Sequence, residues 1–134
     1  MEPTETVLEF VKAINTQHIE KMVGMMTPDH CFVDSLGNRI PNRRAMRDAW
    51  LSYFKTIPDY RIDLRESYAN DDTVMVVGTA SGHYSRDGRL EPQNHWQVPA
   101  AWRAIVDGAR IAEWQAFVDN EPLRRVMRAC GVEV

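Results

Sequence analysis

The chain has no apolar run long enough to cross a bilayer. Its longest aliphatic stretch is Val74-Met75-Val76-Val77, where a spanning helix needs about twenty residues. It is poor in cysteine: Cys31 and Cys130 stand far apart, with no CxxC pair and no cysteine–histidine ligand spacing. A disulfide framework and a structural zinc site are therefore not expected. His18, His30, His83 and His95 fall in no HExxH motif, so neither a metal nor a cofactor is expected. A glycine-rich phosphate loop is also missing, which argues against nucleotides and sugar phosphates as ligands. Positive charge is not in excess, since the formal net charge is −3; a general nucleic-acid binder is not expected. Glu2, Glu5 and Glu9 occupy the N-terminus, where a secretory signal would carry positive charge before an apolar run. The expected compartment is the cytoplasm.

What is present describes one soluble domain over residues 1–134, with 44% hydrophobic and 26% charged residues. A chain of this length buries roughly two-thirds of its unfolded surface and needs no covalent staple. No repeat, low-complexity tract or linker divides it. Val7, Phe10, Val11 and Ile14 recur at helical spacing, behind a Thr6/Glu9 pair that fits a capping box. Ile19, Met22, Val23 and Met26 predict a shorter second helix closed by Pro28. His30 to Leu36 alternates as a strand ending at Gly37-Asn38. Asn42 is a plausible cap for a third helix, whose stripe is Met46, Trp50 and Tyr53/Phe54 and whose stop is Pro58. Four strands follow, Tyr60–Tyr68, Thr73–Ser85, His95–Val106 and Arg110–Val118, parted by turn signals at 70–72, 87–88 and 107–108. Asn120–Ala129 predicts a short closing helix. The order implies an α+β domain: a strongly bent antiparallel sheet packed against three N-terminal helices, with a cone between the layers and a short C-terminal helix.

Two segments carry a family resemblance. Val11-Lys12-Ala13-Ile14-Asn15 through His30-Cys31-Phe32-Val33-Asp34-Ser35-Leu36-Gly37 is similar to the two helices and first strand of the ketosteroid isomerases. Ile111-Ala112-Glu113-Trp114-Gln115-Ala116-Phe117-Val118-Asp119-Asn120 resembles the last strand of SnoaL-like proteins. The chain thus resembles the nuclear-transport-factor-2-like superfamily in its SnoaL-like and ketosteroid-isomerase-like branch. The resemblance implies a cone-shaped fold and a homodimer paired through the outer face of the sheet. It places Asp34 at the isomerases' general base, but Phe10 and Ala100 at the two oxyanion-donor positions. Neither can donate a hydrogen bond, and one lost donor raises a barrier by about 3–4 kcal/mol, so steroid isomerisation by that route is not expected. Asp119 falls near the catalytic aspartate of limonene epoxide hydrolases and SnoaL-type cyclases. The arginine-containing acid pair of the epoxide hydrolases is missing, with His83 near its place.

These residues support two readings each. Asp34 is either a base made competent by apolar neighbours or the cap of its own turn. His83 is either an acid or donor to a substrate oxygen or a strand-end histidine satisfied locally. Asp119 is either a secondary carboxylate or a helix cap. Trp50, Tyr53, Phe54, Trp96, Trp102, Trp114 and Phe10 predict a flat apolar pocket for a small apolar or aromatic ligand. The leading expectation is a cofactor-independent isomerase, cyclase or dehydratase with Asp34 as base. The alternative is a non-catalytic ligand-binding or dimerisation module, with an epoxide hydrolase third.

Overall fold

A computed structural model describes all residues 1–134. Helix α1 runs Pro3–Asn15, α2 Ile19–Gly24, α3 Arg43–Thr56 and α4 Glu121–Ala129. The strands are β1 (Met26–Val33), β2 (Arg39–Pro41), β3 (Arg61–Asn70), β4 (Thr73–His83), β5 (His95–Asp107) and β6 (Arg110–Val118). They form one sheet in the order β2-β1-β6-β5-β4-β3. The fold is α+β, as the element order predicts, and α1 and α3 pack on the same face of the sheet, α1 over β3 and α3 over β1.

The sheet is mixed rather than wholly antiparallel. β1 lies parallel to β6, with Phe32 beside Trp114, while every other neighbouring pair is antiparallel. That pairing joins residues some eighty positions apart, and no local turn signal announces it. The short edge strand β2 is also unanticipated. It folds back on β1 through a turn in which the Asp34 N–H donates to the Asn38 carbonyl at 2.9 Å, and Gly37 supplies the left-handed φ of 86°.

Helix α1 buries Val7, Phe10, Val11 and Ile14 on one face, as their spacing requires. Its start differs from expectation. The N-cap is Glu2 with Pro3 at the first turn, and Thr6 is fully buried inside the helix, because proline at the first position already sets the helical φ. α2 ends early, and the chain is extended from Met26, ahead of Pro28. Asn42 caps α3 as predicted, its Oδ1 accepting from the Ala45 N–H at 2.8 Å. A bulge in β3 between Leu64 and Glu66 faces Gly78, whose missing Cβ lets the Asp63 carbonyl approach to within 1.8 Å of where it would stand. Such a bulge bends a strand, and β3 is the strand against which α1 packs.

On the central strands the even-numbered residues face the helices. Val74, Val76, Ala80, Trp96, Val98, Ala100, Trp102, Ala104 and Trp114 are all buried on this face. Each inward tryptophan sits across from a small residue: Gly82 faces Trp96, Ala116 faces Trp102 and Ala104 faces Trp114. The small partner leaves room for the indole to lie over the sheet.

Candidate functional site

A cavity of about 310 Å³ opens between α3 and the inner face of the sheet. Of the 16 residues that line it, 13 are hydrophobic. From α3 come Met46, Ala49, Trp50 and Tyr53; from the sheet come Phe32, Ile40, Ala80, Trp96, Trp102, Trp114, Ala116 and Val118; Tyr60 closes one side. All four tryptophans of the chain are among them. Trp102 and Trp114 stack at 6.4 Å and 18°, while Tyr53 stands nearly perpendicular to both Trp50 (87°) and Tyr60 (83°).

The polar lining is sparse: Asp34, Ser35 and Asn120, with the phenols of Tyr53 and Tyr60. Burial raises the pKa of both phenols, and Tyr53 adds to the shift of Tyr60, so both stay protonated. The buried indole N–H groups of Trp50 and Trp96 have no hydrogen-bond partner in the protein. Ser35 stitches the β1–β2 turn to β6, its Oγ donating to the Ala116 carbonyl and accepting from the Val118 N–H, each at 3.0 Å.

Asp34 lies on this wall, in phase with Phe32. Its Oδ1 accepts from the N–H groups of Leu36 and Asn38, both at 2.9 Å, and Oδ2 accepts from Asn38 Nδ2 at 3.1 Å. The Asn38 N–H foremost holds the carboxyl below its ordinary 3.8. The arrangement is that of an aspartate capping its own turn. The desolvated carboxylate of raised pKa that a general base would need is not what surrounds it.

The structure does not bring the other two predicted catalytic residues to the cavity. His83 closes β4 with odd parity, on the outer face of the sheet. Its Nδ1 and its backbone N–H each lie 2.7 Å from the Asp59 carboxylate, and its ring meets that of its cross-strand partner His95 at 5.0 Å. Burial works to raise the pKa of Asp59, but the bonds from His83 outweigh it and the carboxyl sits below its ordinary value. This clamp fixes the link between α3 and β3 that carries Tyr60. Asp119 is exposed, and its Oδ1 accepts from the Glu121 N–H at 2.9 Å, at the start of α4. The strand parity of His83 was legible, but the outer face of β4 is itself half-buried and partly apolar, so the pattern alone did not mark which face turns inward.

Two of the predicted ligand-binding rings also lie elsewhere. Phe10 is fully buried behind the wall, 5.2 Å from Trp114, and Phe54 packs 5.3 Å from Trp50. Trp50, Tyr53, Trp96, Trp102 and Trp114 do line the cavity. Tyr60 was not anticipated, although its alternation with Ile62 and Leu64 points it to the same side. His30 is fully buried in β1, where Nδ1 lies 2.7 Å from the Ile111 carbonyl and therefore carries the proton. No three histidine, cysteine, aspartate or glutamate side chains converge in the molecule. No helix is long and apolar enough to cross a membrane.

The sequence matches the SnoaL-like domain family over residues 7–114. No curated protein of established function matches it significantly. Solved structures do. A candidate SnoaL-like polyketide cyclase of Shewanella putrefaciens superposes with a TM-score of 0.80 at 12% identity, over 95% of this chain and 86% of that one. A hypothetical protein of Catenulispora acidiphila with a ketosteroid isomerase-like fold, solved in complex with trimethylamine, gives 0.77 at 18% identity over 99% and 96%. AclR, a candidate hydroxylase of Streptomyces galilaeus, gives 0.76 at 16% identity over 94% and 96%. At these identities the likeness is one of fold.

Proposed function

Because the chain belongs to the SnoaL-like domain family, we propose that it is a small-molecule-binding protein that holds an apolar or cyclic ligand in its aromatic cavity. One observation carries the reading: the cavity is walled by every tryptophan of the chain, while its single charged residue, Asp34, accepts hydrogen bonds within its own turn. Apolar walls with few convergent polar groups are the usual make-up of a ligand site. The neighbour solved with trimethylamine supports a small organic occupant. Because all four tryptophans line the cavity, their fluorescence reports on it directly. Titration with 1-naphthol should quench it saturably, and an Ala49→Phe variant, which projects a ring from α3 into the space, should lose that response. Absence of saturable quenching in the unaltered protein would overturn the reading.

A second reading rests on the position of Asp34 on the cavity wall: a cofactor-independent isomerase, cyclase or dehydratase with Asp34 as base. A base with a lowered pKa accepts protons weakly. The reading requires that Asp34→Asn reduce turnover of an enolisable ketone by at least about a hundredfold. Epoxide opening has less support, since no arginine lines the cavity and neither His83 nor Asp119 reaches it. The family resemblance further supports a homodimer through the outer face of the sheet. There Met75, Val77, Ala101 and Ile105 lie half-buried on adjoining strands.

A further inference from the structure

Charge distinguishes what this cavity would accept. Among the lining residues Asp34 alone is ionisable near neutrality; there is no lysine, arginine or histidine. Asp34 takes part in none of the ion pairs of the molecule. Its negative charge is therefore uncompensated by any cationic side chain, and its Oδ2 accepts only one hydrogen bond, from Asn38, leaving acceptor capacity.

The rings add to the same field. The face of an aromatic ring carries negative potential, and two rings at right angles form a corner in which a compact cation meets both; Trp50 and Tyr60 themselves meet at 48°. Tyr53 makes such a corner, 6.2 Å from Trp50 and 5.0 Å from Tyr60 between ring centroids. An anion would meet repulsion from the carboxylate and the ring faces. A neutral hydrocarbon would gain apolar contact but nothing from Asp34.

We propose that the cavity is an aromatic cage for an organic ammonium ion, a tertiary or quaternary amine carried on an apolar body. The inference rests on the ligand-binding reading above and names its ligand class. Trp50, Tyr53 and Tyr60 surround the methylated nitrogen by cation–π attraction. Asp34 supplies the countercharge, and the tryptophans of the sheet take the apolar body.

The test compares benzyltrimethylammonium with neopentylbenzene, in which carbon replaces the charged nitrogen at nearly the same shape, each displacing 1-naphthol. The cation should bind at least about tenfold more tightly. Tyr53→Leu, which keeps apolar contact and removes a ring, should weaken the cation several-fold and leave neopentylbenzene unchanged. Asp34→Asn should act in the same direction; asparagine retains an acceptor for its turn, and the Tyr53 variant carries the test should that turn fail to form. Equal or tighter binding of neopentylbenzene overturns the inference and leaves the ligand-binding reading standing. An affinity ratio unchanged in both variants overturns it too. If 1-naphthol itself fails to bind, both fall together.

Discussion

Asn15 closes α1 and grips the backbone of β3 with both ends of its carboxamide. Nδ2 donates to the Ile62 carbonyl at 2.9 Å, and Oδ1 accepts from the Ile62 N–H at 2.8 Å. β3 is an edge strand, and these are backbone groups that no neighbouring strand reaches. Ile62 is 1% exposed, so alanine at position 15 would strand a donor and an acceptor in a nearly dry place. Each such group costs about 1–3 kcal/mol. The site is only part-buried, so water recovers some of the loss, and alanine's helix propensity returns about 0.5 kcal/mol. A net destabilisation of about 2 kcal/mol is expected. With a urea m-value of about 2 kcal/mol/M, the midpoint should fall by about 1 M. Urea unfolding followed by tryptophan fluorescence and by far-ultraviolet circular dichroism measures it. Asn15→Asp should be at least as damaging, because its second oxygen would face the Ile62 carbonyl. A midpoint shift under about 0.3 M for alanine, or an aspartate variant as stable as the parent, would refute this account of how α1 is held to the sheet.

Gly78→Ala should destabilise by about 3 kcal/mol or more, because the new Cβ collides with backbone, the Asp63 carbonyl, that no rotamer change can move; a thermal midpoint within about 2 °C of the parent would contradict it. Stability should also fall in mild acid through His30, whose pKa is lowered from 6.5 by burial, against the opposing pull of the Ile111 carbonyl. Above pH 6.5 the imidazole is neutral in both states; as pH drops below that, the unfolded chain takes up a proton that the folded one resists, and stability declines until the folded value is reached. The lowered carboxyls of Asp34, Asp59 and Glu121 lose their contribution only below 3.8–4.5. Urea midpoints should therefore decline from pH 6.5 to about 5, and a flat profile over that range would show that His30 takes its proton freely.

The helical stripe Val7-Phe10-Val11-Ile14, the Asn42 cap and the alternation that turns Trp96 and Trp102 inward were legible because each depends on neighbours a few residues away. The parallel pairing of β1 with β6 and the short β2 were not, since both depend on distant partners. The site residues divide along the same line. Alternation puts Asp34 in phase with Phe32 and His95 out of phase with Trp96, but it leaves open which face of β4 looks inward. Of the two readings of His83, the structure shows the local one: it is bonded to Asp59, and an intact sheet lies between it and the cavity. Phe10 and Phe54 show a further limit: a ring on the inward face of a helix can line a cavity or stand behind its wall. The difference is one layer of packing, which periodicity does not contain.

That layer explains why a cavity exists at all. Ala49, Ala80 and Ala116 line the space between Trp50, Trp96, Trp102 and Trp114, where leucine or isoleucine would continue the core. A closed apolar void costs about 24 cal/mol per Å³, and even partial access by solvent leaves some of that cost for a volume of about 310 Å³. Filling it with larger side chains is a simple route to greater stability, yet the small residues stand at three separate elements. The large rings and the small gaps between them work together: the indoles form walls, and the alanines keep the walls apart. An architectural domain would gain from closing this gap, whereas a protein that must admit a ligand requires it. The opening on α3 and the sheet thus favours a binding role over a purely oligomeric one, independently of what Asp34 does.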